Sequence, residues 1–144
     1  MPTYAIPALS TALQEGDGNT PVETFTTIAE IKNIGGPKLA AETKEVSSHS
    51  SGGWKEFITT LMDGGEIALS LNFIPTSLTQ GYQKGMLWDM VQRIQRHYRI
   101  VFPDAAGTTW SFNGYVSKFD VKANTPDPLE ADVTIRVTGA PVLQ

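Results

Sequence analysis

Between Glu66 and Phe73 the chain alternates strictly, with Ile67, Leu69, Leu71 and Phe73 on one face and Glu66, Ala68, Ser70 and Asn72 on the other. A period of two is the pattern of a half-buried β-strand. The cleanest run of this kind lies near the C-terminus. There Leu129, Ala131, Val133, Ile135 and Val137 alternate with Glu130, Asp132, Thr134, Arg136 and Thr138, until Gly139-Ala140-Pro141 ends the strand. Tyr98, Ile100 and Phe102 alternate with Arg99 and Val101, the segment from Pro103 to Gly107 reads as a hairpin loop, and Trp110 and Phe112 share a face. After Gly114 the apolar face moves to Tyr115, Phe119 and Val121, a one-residue shift that a β-bulge at the glycine would produce. Asp63-Gly64-Gly65 is a tight-turn signal. The β-branched stretch from Glu23 to Ile34 reads as one strand, in which Phe25, Ala29 and Ile31 alternate with polar neighbours and which Gly35-Gly36-Pro37 stops.

The period changes once. Leu78, Tyr82, Met86, Met90 and Ile94 recur at helical spacing, and Leu87 and Val91 widen the stripe. Gln80, Lys84, Asp89, Gln92 and Arg93 fall on the other side, so the pattern predicts an amphipathic helix of about four turns within residues 76–95, weakened in its first half by Gly81 and Gly85. Residues 36–53 are polar and rich in Ser and Gly, and read as a long loop from which Trp54 returns to the core. A second loop runs from Lys122 to Pro128. Residues 1–24 are expected to form an arm that is poorly ordered without a partner, with a short strand around Ala8 to Glu15 and a loop from Glu15 to Asn19. The expected core is Trp54, Phe57, Leu69, Leu71, Phe73, Trp110, Phe112, Val133 and Ile135, with Leu87, Val91 and Ile94 of the helix covering it. Neither a repeat nor a domain boundary interrupts the chain, so residues 1–144 read as one domain.

Composition narrows the chemistry. The absence of cysteine removes disulfides, thiolate nucleophiles and cysteine-based zinc sites, and fits a reducing cytoplasm. A net charge of −4, with Lys and Arg scattered apart from Arg93, Arg96 and Arg99, is not the footprint of a nucleic-acid binder. No apolar run approaches the roughly 18 residues of a membrane-spanning helix, and the N-terminus lacks the basic and apolar regions of a signal peptide. His49 and His97 have no second ligand at metal spacing. Ser47, Ser48, Ser50 and Ser51 beside His49 cannot supply the spatial arrangement of a nucleophile and its base. Asp63 and Glu66 flank a turn, no Gly-Lys-Ser/Thr completes a phosphate loop, and the arginine cluster reads as a solvated helix end before it reads as a phosphate site. No catalytic, cofactor-binding or metal-binding residues are therefore expected, and the chain is not read as an enzyme.

The ordered set IKNIGGP (Ile31 to Pro37), TKEVSSHSSGGWKEFITTLMDGGE (Thr43 to Glu66), LNFIP (Leu71 to Pro75), Leu87-Trp88, TWSFNGYVSKF (Thr109 to Phe119) and TIRVTGAP (Thr134 to Pro141) resembles the tail tube proteins of long-tailed bacteriophages. The resemblance implies a mainly β fold, an antiparallel β-sandwich or half-barrel with one flanking α-helix and a long loop, shared with the tubes of contractile phages and of type VI secretion. It implies a structural virion protein, made in the cytoplasm of a bacterial host, whose homohexameric rings stack into a hollow tail tube that conducts DNA during ejection. The implied partners are the chain itself, tape measure, tail initiator and tail terminator proteins, and DNA that passes without specific binding; no membrane insertion and no cofactor are implied. On this reading the long loop stacks rings through Lys38, Glu42, Lys44, Glu45, His49 and Ser51, mobile in the free subunit and ordered between rings. The strand from Leu129 to Val137 is one candidate for edge pairing with a neighbour or for lining the closed sheet. Six copies at −4 carry about −24 per ring, so a lumen lined by carboxylates such as Glu66, Glu130 and Asp132 is expected to repel the duplex, with Arg93 and Arg96 outside or between subunits.

Other readings compete. A type VI tube subunit or a tail terminator would share the fold. A monomeric β-sandwich binding module requires an exposed aromatic platform, and a small hydrolase on a β-barrel requires converging histidine or carboxylate groups.

Overall fold

The computed structural model describes residues 5–6, 10–18, 23–82 and 85–143. Nine strands and one helix follow in the order β1 (Ala12–Gly16), β2 (Phe25–Thr27), β3 (Ile31–Gly35), β4 (Ala40–Glu45), β5 (Phe57–Asp63), β6 (Glu66–Asn72), α1 (Met86–Gln92), β7 (Arg96–Val101), β8 (Thr109–Lys122) and β9 (Glu130–Leu143) among the described residues. Seven strands form one antiparallel sheet in the order β2-β1-β7-β8-β9-β6-β3, and β4 and β5 form a separate two-stranded sheet.

Only Ile28–Glu30 separates β2 from β3, yet these strands are the two edges of the large sheet. Flat, seven strands would hold the edges roughly 29 Å apart, whereas the link from Thr27 to Ile31 reaches roughly 14 Å at full extension. The sheet must curl, and it does so into a half-barrel in which no ladder joins β3 to β1 or β2. Glu30, in the left-handed region at φ 62°, makes the turn. Gln80 pins the link. Its amide nitrogen donates to the carbonyls of Ala29 (2.8 Å) and Asn72 (3.0 Å), and its oxygen accepts from the Ile74 N–H (2.8 Å). The Ala29 N–H donates to Thr79 Oγ1 (3.1 Å).

The core lies inside the curl. Leu13, Ile28, Ile67, Leu69, Leu71, Tyr98, Ile100, Phe112, Val116, Ala131, Val133, Ile135, Val137 and Met86 of α1 are buried, and Phe73, Met90, Trp110 and Phe119 pack against them. The alternation along β6 and β9 therefore points the expected way, and this is the mainly β, antiparallel, half-barrel fold with one helix that the resemblance implied.

Several expectations are corrected. The stretch from Glu23 to Ile34 is two strands on opposite edges, divided at the turn. Residues 36–53 are not one loop: β4 occupies much of them and pairs with β5, and a 3-10 turn, His49–Ser51, follows. Trp54 and Phe57 are not core residues; they are 80% and 56% exposed on this hairpin. Part of the N-terminal arm is integral, because β1 pairs with both β2 and β7 and buries Leu13 completely. The rest of that arm, residues 1–4, 7–9 and 19–22, lies outside the described residues, as does Lys84.

The helix spans seven residues instead of about four turns. A Cβ on Gly81 would meet the Pro75 and Ser77 carbonyls at 2.5 and 2.4 Å, and Gly85 sits at φ 133°, so the chain turns twice before α1 begins. Leu78, Tyr82 and Val91 leave the core as a result, whereas Asp89 and Gln80, expected on the polar side, are buried. Leu87 and Ile94 are half-buried. Gly114 is not the bulge. A Cβ there would meet the Arg136 carbonyl at 2.8 Å, so it serves close strand approach. The parity changes instead at Ser117, leaving Phe119 against the core, Tyr115 outside, and Val121 on the face of Phe119, opposite the buried Ala131 but exposed. Finally, β9 continues through Gly139 at φ 77° to Leu143 and lies between β8 and β6, so it is not an edge.

Leu71→Ala, which opens space in the fully enclosed core, is expected to cost roughly 2–5 kcal/mol. Phe57→Ala on the exposed hairpin should stay within about 0.5 kcal/mol. Urea denaturation of the free subunit checks both.

Candidate assembly surfaces

The hairpin is built to stand away from the core. Its ladder runs from Ala40 opposite Asp63 to Glu45 opposite Phe57, and every residue of both strands is exposed. The β-branched and aromatic content of FITTLMD favours a strand, but no second layer covers it among the described residues. The serine cluster builds the tip: the Glu56 N–H donates to Ser47 Oγ (2.8 Å), the Ser48 N–H to Ser51 Oγ (2.9 Å), and Ser51 Oγ to the Glu56 carboxylate (2.8 Å). The base is rigid. Asp63 accepts from the Gly65 N–H (2.8 Å) and from Arg136 of β9 (2.7 Å), and a Cβ on Gly65, at φ 73°, would lie 2.1 Å from the Lys38 carbonyl oxygen.

The structure thus places Lys38 at the base of the hairpin, Glu42, Lys44 and Glu45 on β4, and His49 and Ser51 in the 3-10 turn at its tip. All are exposed except Ser51, which is half-buried. They belong to a paired strand and its turn, not to a featureless loop. Sequence reasoning missed the apolar members of the same surface, Trp54, Phe57, Ile58, Leu61 and Met62, because it assigned two of them to the core.

A second surface is the outward side of the large sheet. Glu66 sits opposite Arg136, Asn72 opposite Glu130, and Ser70 opposite Asp132, so the three carboxylates share one face. Each lies among cations or donors. Lys32 reaches Glu130 (2.6 Å), Lys122 reaches Asp132 (2.5 Å), and Ser70 Oγ also donates to Asp132 (3.1 Å). Lys118 and Asp120 of β8 continue the alternation. This face is a mixed lattice of both signs, with Glu66, Glu130 and Asp132 among Lys32, Lys118, Lys122 and Arg136. The hydrogen bond from Lys122, then that from Ser70, holds the Asp132 carboxyl below the ordinary 3.8, and the same contact raises Lys122. The Gly65 N–H, then Arg136, lowers Asp63.

The arginine cluster disperses. Arg96 is bound inside by the buried Asp89 through two hydrogen bonds (3.0 and 2.8 Å). Arg99 lies over the Phe25 ring at 4.0 Å and donates to Gln14 (2.5 Å), and Arg93 caps α1 at φ 58°. His97 meets Glu23 at 3.1 Å, and His49 stays at the hairpin tip. Among the described residues no group of His, Asp and Glu could hold a metal ion, and no helix is long and apolar enough to cross a membrane.

Comparison with known proteins places this geometry. The profile of the family described as "Lambda phage tail tube protein, TTP" matches residues 13–144. A search of curated proteins by sequence finds no match. Among solved structures, a chain of the "Virion of native gene transfer agent (GTA) particle" is 16% identical at TM-score 0.71, covering 97% of this chain and 99% of that one. A chain of the "PVC sheath/tube terminator in extended state" of an extracellular contractile injection system is 16% identical at TM-score 0.71, with coverage of 100% and 99%. The SPP1 tail tube is 9% identical at TM-score 0.69, with coverage of 96% and 78%.

The depressed carboxyls make stability depend on acid. Asp63 and Asp132 contribute above their unfolded value of about 3.8, and that contribution is lost as pH falls through their lower folded values. Asp63→Asn and Asp132→Asn should therefore melt below the parent near neutral pH and converge with it as the pH falls below 3.8 and through the lower folded values. Melting curves across that range check this; a gap independent of pH would contradict it.

Proposed function

The chain belongs to the lambda phage tail tube protein family, and on that footing we propose that its copies close into hexameric rings which stack into the hollow tail tube through which DNA leaves the particle. Family membership makes it a structural protein of the tail of phage-like particles, a role that needs no catalysis. One observation carries the assembly reading. The chain exposes 9675 Å², whereas a compact monomer of 15.6 kDa exposes roughly 7,200 Å². The excess, roughly 2,400 Å², is the size of an obligate interface. The exposed surface includes a hairpin whose apolar side chains have no cover among the described residues. Sixfold order is supported by the similar chains, which come from a GTA tail refined with C6 symmetry and a 6-fold symmetrised anti-feeding prophage baseplate.

In this reading the hairpin joins successive rings, with Lys38, Glu42, Lys44, Glu45, His49 and Ser51 at the junction. A two-stranded ribbon is marginal alone, so it fluctuates in the free subunit and orders on stacking, and that ordering cost restrains premature polymerisation. The outward face with Glu66, Glu130 and Asp132 lines the lumen. Lys32 and Lys122 on it are held by carboxylates, which leaves phosphates fewer free cations, and at physiological salt the remaining field acts over about 8 Å. Tape measure protein occupies the tube before DNA, and initiator and terminator proteins bound its ends. A terminator role is the second reading, favoured by the equally high TM-score of 0.71 with a chain of the anti-feeding prophage cap.

Analytical ultracentrifugation and negative-stain imaging of purified protein, with and without tail initiator components, test this. Hollow rings of six copies that stack into tubes are expected. Rings that never stack would favour the terminator, and a strict monomer under all these conditions would contradict both readings.

A further inference from the structure

The molecule carries two apolar patches that cannot meet within one chain. The first is the hairpin, where Trp54, Leu61 and Met62 are 80%, 75% and 77% exposed. The second lies where α1 begins. Leu78 and Val91 are 72% and 67% exposed, and Tyr82 and Trp88 are also on the surface. The Trp88 N–H donates to the Gly81 carbonyl (3.2 Å), which brings Tyr82 beside the helix, and Trp88 and Val91 stand three residues apart on one helical face. Helix α1 contacts β8, the hairpin contacts β9, and nothing joins hairpin and helix among the described residues.

We propose that the hairpin of one copy seats on the α1 patch of a second copy in the adjacent ring, with Leu61 against Trp88 and Val91. This rests on the ring-forming reading above and specifies which surfaces meet. The occupant is another copy because each chain offers both halves of the contact. One head-to-tail interface repeated from ring to ring covers both patches on every subunit within the tube, whereas a foreign partner would have to cover two separated patches. The surface excess over a compact monomer has the size such an interface requires. Charge agrees. Glu42 and Glu45 on the hairpin take part in none of the ion pairs among the described residues, and neither does Arg93 at the end of α1, two residues from Val91. Glu42 lies across from Thr60 and Leu61 where the ladder shifts register, so a carboxylate and an apolar group share one side of the ribbon and can meet Arg93 and Val91 together.

The chain has no cysteine, so thiols can be placed without background. Full-length Leu61→Cys and Val91→Cys chains are mixed, assembled and treated with a short thiol-to-thiol cross-linker. A covalent dimer joining the two variants is expected in assembled material, and none in free subunits. Leu61→Cys mixed with Asp120→Cys, on the outward sheet face, should not link. As an independent measurement, Val91→Asp should leave the melting temperature of the free subunit unchanged and weaken association about tenfold or more, as loss of an interface anchor does. Tubes in which Leu61→Cys links to Asp120→Cys and not to Val91→Cys, or Val91→Asp chains that assemble like the parent, would overturn this seat and leave the ring reading intact. Failure of the parent chain itself to assemble would overturn both.

Discussion

The three-residue crossing at Ile28–Glu30 is the constraint on which the rest of the structure depends. It ties the two edges of a seven-stranded sheet within reach of each other, so the sheet must curl, and the curl creates an enclosed space that the apolar faces of β6, β8 and β9 share. The crossing is itself short of regular partners, and Gln80, fully buried, supplies them from the loop before α1. A buried amide that satisfies three backbone groups replaces a ladder that the short link cannot form. The body is then complete, and the thirty residues of chain between β3 and β6, 36–65, have no place inside it. The hairpin stands outside for this reason.

That division separates two kinds of surface. The outward side of the sheet is polar and internally satisfied: Lys32–Glu130 and Lys122–Asp132 pair across strands and leave little for a partner. Exposed pairs of this kind add little stability, but they fix how much charge the wall presents. The hairpin and the start of α1 are the opposite, apolar and without cover in the single chain. The tube proposed for this chain would use both, one face past which a polyanion moves and others that hold copies together.

Much of the body was legible in the sequence because half-buried strands write their burial into local alternation. Leu69, Leu71, Val133 and Ile135 were placed on the core face from spacing alone, and the same spacing put Glu66, Glu130 and Asp132 on one outward face. Their lysine partners were not legible, because cross-strand register depends on which strands meet. Trp54 and Phe57 were misplaced because an apolar side chain in sequence carries no mark of which chain will bury it. The polar strand β4 has no alternation and exists through its pairing with β5. Gln80 and Asp89 were read as solvent-facing because Gly81 and Gly85 were taken to weaken a long helix, when they prevent its first half from forming.

The central claim is that the hairpin is a surface finished by other copies of the chain. Hydrogen exchange of the amides in Phe57–Asp63, compared between free subunit and assembled tube, tests it most directly. Weak protection in the free subunit relative to β6 and β9, with strong protection gained on assembly, is the result this account predicts. Equal protection of the hairpin in both states would contradict it.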